Sequence, residues 1–501
     1  MTGKVWLVGA GPGDIGLMTI KGKSLLEKAD VIIYDHLVGN EILSSLDDSK
    51  KLINVGKLAG HHLIPQEQIN RILVEEAQKG LKVVRLKGGD PFLFGRGGEE
   101  LAELKMYGIP YEVVPGVTSS LAVPAYSGIP VTHRDFASSV HIITGHKKQG
   151  QNEDMDYEAL VRAGGTLVFL MGVTALSDIR RKLLEAGMSP DMPAAVLQEG
   201  TTAGQKRVSA TLGNLEDKVR EDKIRPPAII VVGQVCRLAD ILSWREELPL
   251  FGMRIILTRP RKLMSYLAEK LRMKGAEVLE LPAIDTAAVM ENRRLSQCFV
   301  HIDRYDWIVF TSQIGVQIFF EQTERKKLDI RKLSGAKFAV IGEGTRAALG
   351  KRGIYADLIP DIFDGESLGR ALACQKIRGK RILIPRAEKG NEQLVPILEQ
   401  AGAYVEDVAV YRTVYHAGGA VSIKEEFEKG RIDLVVFTSS STVEGFAAVT
   451  EGMDYSKLNA ACIGRQTAET AAKYNMKCMV AKKATLEDLT ELILEMKSQC
   501  K

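Results

Sequence analysis

The sequence predicts an α/β protein throughout, and three observations carry that expectation. Short apolar runs ending in glycine-rich turns alternate with helical periodicities, which is the pattern of mostly parallel sheets. One loop, Arg85 to Glu100 (R-L-K-G-G-D-P-F-L-F-G-R-G-G-E-E), packs five glycines into the exit of an apolar run. That composition costs chain entropy and suits a backbone that must bend sharply or lie against a ligand. Finally, the stretch beyond Met253 repeats itself.

At 501 residues the chain can build three or four ordinary cores. With 45% hydrophobic and 26% charged residues it reads as a globular protein without a bilayer-length apolar run. The first residues enter a strand directly, with no cleavable leader pattern, so a cytoplasmic location is expected. Six cysteines are scattered without metal-ligand or disulfide spacing. A net charge of +4 gives no case for nucleic acid, yet local basic clusters would suit small polyanionic substrates.

Val5 to Val8 predicts the first strand, closed by Gly9-Ala10-Gly11-Pro12-Gly13-Asp14 and followed by a helix over Thr19 to Lys28. Pro12 removes a backbone donor, so this turn is a poor dinucleotide fingerprint. Val31 to Tyr34 is the next strand, with Asp35 at its carboxyl end. Lys51 to Val55 leads to Gly56-Lys57. Ile69, Ile72, Leu73 and Ala77 then mark an amphipathic helix over Pro65 to Lys79. Leu81 to Val84 runs into the glycine loop, which places Arg85 at the strand's end. Ile109 to Val113 closes on Pro115-Gly116-Val117-Thr118-Ser119-Ser120. Further strands are read at His141 to Thr144, Thr166 to Met171, Ala194 to Leu197 and Ile229 to Val232, with one or two more over Thr201 to Leu212.

Pro249 and Gly252 mark a linker into a second unit. In that unit Val309-Phe310-Thr311-Ser312 is matched by Val436-Phe437-Thr438-Ser439, and Ile341-Gly342 with Thr345 by Ile463-Gly464 with Thr467. Likewise Arg254 to Arg259 before one helix parallels Arg381 to Arg386 before another. The first copy lacks its own Thr-Ser turn until a whole domain has intervened. The order therefore predicts two similar α/β domains, one inserted into the other.

Asp35, Lys57 and Arg85 all fall where a parallel sheet gathers side chains at one mouth. An acid, an amine and a guanidinium there suit an anionic substrate undergoing proton movement, and spacing alone equally allows surface salt bridging. The adjacent His61 and His62 point in different directions in regular structure and make a poor metal site.

The motifs Val5 to Asp14, Tyr34-Asp35-x-Leu37-Val38, Val55-Gly56-Lys57, Arg85 to Glu100, Val114-Pro115-Gly116, Gly128-Ile129-Pro130, Thr132-His133-Arg134-Asp135 and Thr144-Gly145-His146 occur in that order. Together they resemble uroporphyrinogen-III C-methyltransferase, of the tetrapyrrole methylase family. The resemblance implies two α/β lobes (1–115 and 116–245) binding S-adenosylmethionine between them, and a homodimer. It implies that Pro12, Gly88, Gly89, Asp90, Leu93, Thr118, Ser119, Met171 and Gly200 form the donor pocket. Asp35 is implied as base, Lys57 as proton donor and Arg85 as a substrate-carboxylate or catalytic residue. The implied reaction is two methyl transfers to uroporphyrinogen III, giving precorrin-2.

After a linker at 246–252, the remainder is similar to uroporphyrinogen-III synthase in its paired Thr-Ser and Ile-Gly turns and Val410-Tyr411-Arg412-Thr413. That resemblance implies one discontinuous domain (253–284 and 416–498) and a second inserted within it (285–415). It also implies cyclisation of hydroxymethylbilane with inversion of ring D, and neither metal nor organic cofactor. Tyr411 is implied to help a hydroxyl leave, and a buried structural tyrosine is equally compatible. Thr311, Ser312, Thr345, Thr438, Ser439 and Thr467 are candidates for binding substrate carboxylates, or ordinary helix caps. Arg386, placed by the repeat, joins them as a source of charge, as do Arg259 and Arg412. Two other functions stay open on the residues: a methylase of a later corrinoid, and a regulatory tetrapyrrole-binding protein.

Overall fold

The computed structural model describes residues 2–47, 49–56, 64–145, 155–258, 261–289, 291–390, 392–415 and 420–499. Its first sheet has the order β3-β2-β4-β1-β5, from β1 (Lys4–Gly9), β2 (Val31–Tyr34), β3 (Lys51–Asn54), β4 (Lys82–Lys87) and β5 (Tyr111–Val114). All of its pairings are parallel, so the loops after β1, β2, β4 and β5 share one edge. Val5, Leu7, Ile33, Leu73 and Leu104 bury one face against the helices Gln66–Gln78 and Gly97–Met106. Val8, Ile32, Ile42 and Leu86 bury the other.

The second sheet is mixed. β6 (Val140–Thr144) and β7 (Thr166–Leu170) run parallel, while β10 (Ala228–Val232) lies antiparallel between β7 and β8 (Pro193–Gln198), and β9 (Lys206–Thr211) closes a hairpin with β8.

The third sheet has the order β12-β11-β18-β19-β20, all parallel. Its strands are β11 (Arg254–Leu257), β12 (Glu277–Glu280), β18 (Leu434–Phe437), β19 (Asn459–Cys462) and β20 (Lys477–Val480). Between β12 and β18 the chain builds a fourth sheet, β13-β17-β16-β14-β15. It consists of β13 (Ile284–Ala288), β14 (Trp307–Phe310), β15 (Lys337–Val340), β16 (Arg381–Ala387) and β17 (Tyr404–Tyr415), with only β13 antiparallel to its neighbour. The chain divides into two compact units, Met1–Leu281 with Gly418–Thr438 and Thr450–Lys501, and Pro282–Ala417 with Ser439–Val449. No described helix is long and apolar enough to cross a membrane.

One local expectation is corrected. The strand before the glycine loop continues to Lys87, because β4 stays paired with β1 through Gly9↔Lys87. Arg85 is therefore inside the sheet and 3% exposed, where an alternating apolar pattern alone would have ended the strand before a charge.

Candidate active site

Asp35 follows β2 directly. Its Oδ1 accepts the Leu37 N–H at 3.1 Å and the Gly88 N–H at 3.5 Å, and its Oδ2 lies 3.4 Å from Arg85 Nη2. The carboxylate is held from both sides while its side chain keeps 20% of its exposure, so it is oriented and still reachable. Lys57 and the His61-His62 pair lie outside the described residues.

Arg85 lies below Asp35. Its Nε donates to Glu100 Oε1 at 3.1 Å and its Nη1 to the Leu86 carbonyl at 3.0 Å. Lys87 Nζ reaches the same Glu100 oxygen at 2.9 Å. Two cations and two carboxylates thus stack from the sheet mouth inward, and Glu100 is wholly buried. Glu100 sits in the first turn of the helix Gly97–Met106, where the helix dipole favours an anion. Burial, with Arg85 beside it, pushes the Lys87 ammonium below its ordinary value despite Glu100. Lys87 and Glu100 were missed in the sequence. The available signal was that Arg85 and Lys87 share one face of a strand otherwise apolar, a pair that requires a buried acid. Glu100 meets that need from the inner helix face it shares with Leu101 and Leu104.

The donor-pocket candidates gather around the same edge. Gly11 and Gly89 exchange backbone hydrogen bonds at 3.2 and 2.7 Å, joining the turns after β1 and β4. A Cβ on Gly116 would run into the Gly89 carbonyl oxygen, so the turn after β5 approaches as only glycine allows. Gly89 itself has φ +67° and open space where a Cβ would stand. Gly88 abuts Leu37, and Pro12 sits between Gly11 and Gly13, both at positive φ. Asp90 spends its carboxylate on structure: Oδ1 accepts from Phe92 and Leu93, and Oδ2 from Gly116.

Thr118 caps the helix Ser119–Tyr126, its Oγ1 accepting from Ser120 N–H. Leu93 packs on the core that holds Val123 and Leu170. Met171, just past β7, takes φ +55° and is half exposed. Gly200 faces Val123 of that helix so closely that a Cβ would clash. The turns after β1, β4 and β5 therefore meet at one edge of the first sheet, and the turn carrying Gly200 lies against the helix Ser119–Tyr126.

In the fourth sheet, Tyr411 on β17 and Ser312 after β14 meet, hydroxyl to hydroxyl, at 2.8 Å. Ser312 also caps the helix Gln313–Arg325, accepting from Gly315 N–H at 2.9 Å. Burial raises the Tyr411 phenol above its usual range, Ser312 partly offsetting this. Arg386 is buried and paired bidentately with Asp407 at 2.7 and 2.6 Å. Thr345 is buried within the first turn of the helix Glu343–Gly350, as is Thr467 in Arg465–Ala472. Thr311 and Thr438 stand directly after β14 and β18, and Ser439 Oγ accepts from Thr442 N–H. Arg259 lies outside the described residues, and Arg412 is exposed. Among the described residues, no cluster of His, Cys, Asp or Glu is arranged to hold a metal.

Two family descriptions match the chain: Tetrapyrrole (Corrin/Porphyrin) Methylases over residues 4–216 and Uroporphyrinogen-III synthase HemD over residues 265–491. The chain is 44% identical to the Porphyrin biosynthesis protein HemD of Ruminiclostridium josui over 493 residues, 98% of each chain. It is 44% identical over 361 residues to the Uroporphyrinogen-III C-methyltransferase of Bacillus subtilis (strain 168), covering 72% of this chain and 74% of that one. A third relative, the S-adenosyl-L-methionine-dependent uroporphyrinogen III methyltransferase of Methanosarcina barkeri, is 51% identical over 242 residues, 48% of this chain and 95% of its own.

Proposed function

Because the chain belongs to the family in which a tetrapyrrole methylase is fused to a HemD-like uroporphyrinogen-III synthase, we propose that it catalyses two consecutive steps of tetrapyrrole biosynthesis. The back half cyclises hydroxymethylbilane to uroporphyrinogen III with inversion of ring D. The front half methylates that product twice from S-adenosylmethionine, giving precorrin-2. The observation that carries the front-half reading is the Asp35 carboxylate, held by two N–H groups and Arg85 beside the three joined glycine turns.

The turns around Gly89 and Gly116, with Thr118, Ser119, Leu93 and Met171, would hold the donor, which supplies an electrophilic methyl when bound. Holding it in line with an electron-rich pyrrole supplies much of the rate. Asp35 then takes the ring proton released after carbon attack. Arg85, buried and engaged with Glu100, positions Asp35. Lys57 is retained as the proton donor. In the back half, Tyr411 donates its phenolic proton to the departing hydroxyl while Ser312 fixes its direction. Thr311, Thr438 and Ser439 receive substrate carboxylates.

The reading assigns the methyltransferase to 1–245 and the synthase to 253–498, with 285–415 inserted. It includes a homodimer through the front half and a cytoplasmic setting. The test is to supply hydroxymethylbilane under reducing, oxygen-free conditions. Uroporphyrinogen III alone should form without S-adenosylmethionine, and a product two methyl groups heavier with it. Absence of methyl transfer to the macrocycle would overturn the front-half assignment.

A further inference from the structure

Strand β12 is the edge of the third sheet, and its outward N–H groups are satisfied by the front half. Glu277 and Leu281 donate inward, to Met253 and Leu257 of the β11 strip, at 2.9 Å each. The alternate residues point the other way: Val278 N–H donates to Glu41 Oε1 at 3.1 Å and Glu280 N–H to Ser44 Oγ at 3.0 Å. Glu41 and Ser44 lie on the helix Asn40–Ser45, which follows the Asp35 turn. An unpaired edge is a liability, and here a neighbouring domain's side chains close it.

Glu41 continues inward. Its Oε1 also receives Arg272 Nε at 2.5 Å, and its Oε2 receives the Ile15 N–H at 3.3 Å, at the end of the Gly11-Pro12-Gly13-Asp14 turn. Arg272 is fixed in turn by Glu280 Oε1 at 3.1 Å and the Val278 carbonyl at 3.2 Å. The carboxylate is buried, and the loss of water raises its protonation tendency, with Arg272 opposing that. A second contact reaches the turn that carries Gly200: Ala203 N–H donates to Glu277 Oε2 at 2.8 Å, and Arg254 Nη2 holds that oxygen at 2.9 Å. Two turns of the donor pocket are thus tied to one strand of the other enzyme.

We propose that Arg272 is a positioning residue for the methyltransferase, supplied by the synthase half and acting through Glu41 on the Gly11–Ile15 turn. This rests on the donor-pocket reading above. The third sheet favours the turn geometry that accepts the methyl donor, and loss of the Arg272 contact lowers donor affinity without altering the chemistry at Asp35.

The test uses the full-length chain, with S-adenosylhomocysteine titrated by calorimetry and methyl transfer followed in parallel. Arg272→Ala should weaken S-adenosylhomocysteine binding about fivefold or more and raise the donor KM similarly. Its kcat at saturating donor and its turnover of hydroxymethylbilane should stay within about twofold. Ser44→Ala removes the Glu280 contact on the same edge and a bond to the Glu41 carbonyl but touches neither the Glu41 carboxylate nor the turn, and its affinity should stay within about twofold. Should Arg272→Ala not fold, the isosteric Glu41→Gln carries the same expectation. In the Glu41→Gln, Arg272→Ala pair the effects should not add, since both act through one contact. Unchanged affinity in the folded single variants, additive effects, or an equal loss in Ser44→Ala would each overturn the inference. A wild-type chain that binds no S-adenosylhomocysteine would instead overturn the donor-pocket reading.

Discussion

The Asp35 site and the Tyr411 site are both built at the carboxyl edges of largely parallel sheets, and they differ in what lies beneath the reactive group. Under Asp35 there are two buried cations and a wholly buried acid, Glu100. Around Tyr411 there is an apolar core with a single hydroxyl partner, Ser312. The difference follows the proposed chemistry. A group that takes a proton must be aimed at it, and the ion pairs beneath Asp35 fix its direction. A group that donates a proton needs to stay neutral, and burial alone favours the neutral phenol.

The largest effect should come from breaking the charged side of this contrast. Asp35→Asn keeps the shape and the two N–H contacts in part but removes the proposed base. Methyl transfer should fall about 10²–10⁴-fold, with cyclisation of hydroxymethylbilane unchanged. Separate rate measurements on the two substrates check this. Equal losses in both activities would show that Asp35 serves the fold and not the methyl transfer.

Next comes the support under Asp35. Glu100→Ala leaves Arg85 and Lys87 buried with like charge and no acid between them. A loss of about 3–5 kcal/mol is expected, read as a lower midpoint in urea unfolding of the front-half transition. Replacing Lys87 with Met in the Glu100→Ala background removes one of the two stranded charges and should recover part of it. No recovery would mean that the two cations do not share Glu100 as the geometry indicates.

These residues also mark what the sequence could and could not reveal. The strands of the first two sheets were legible in chain order, because short apolar runs and their glycine exits are local signals; in the remainder only the strands before the repeated turns were, and β12, β13, β17 and β20 were not. The mixed pairing of the second sheet was not, since β10 enters between β7 and β8 by tertiary packing. Asp35 was legible as the residue after an apolar strand. Arg85 was visible but put at a strand end, because one charge in a short run looks like an exit unless its partner, Glu100, is seen 15 residues on. Arg386 was visible by the repeat, but its bidentate pairing with Asp407 was not. The Tyr411–Ser312 contact joins positions 99 apart, which periodicity cannot supply.

The uncharged side of the contrast is tested by Tyr411→Phe. Cyclisation should slow about tenfold or more, as for loss of a positioned proton donor, with methylation of supplied uroporphyrinogen III unaffected. The fold should lose only about 1 kcal/mol, because the ring stays packed and one hydrogen bond goes.

Ser312→Ala should have the smallest effect on the cyclisation rate and the sharpest interpretation. Ser312 does two things at once: it caps the helix Gln313–Arg325 and it meets the Tyr411 hydroxyl. Loss of the cap costs about 1 kcal/mol by itself. In a thermodynamic cycle with Tyr411→Phe, a coupling of about 0.5–1.5 kcal/mol in unfolding free energy would be the contribution of the hydroxyl pair. The same cycle applied to cyclisation rates separates the roles. If Ser312 directs the phenol, its substitution lowers the rate when Tyr411 is present and has no further effect in the Tyr411→Phe background. If Ser312 is only a cap, the two rate effects multiply, and Tyr411 works without a directing partner.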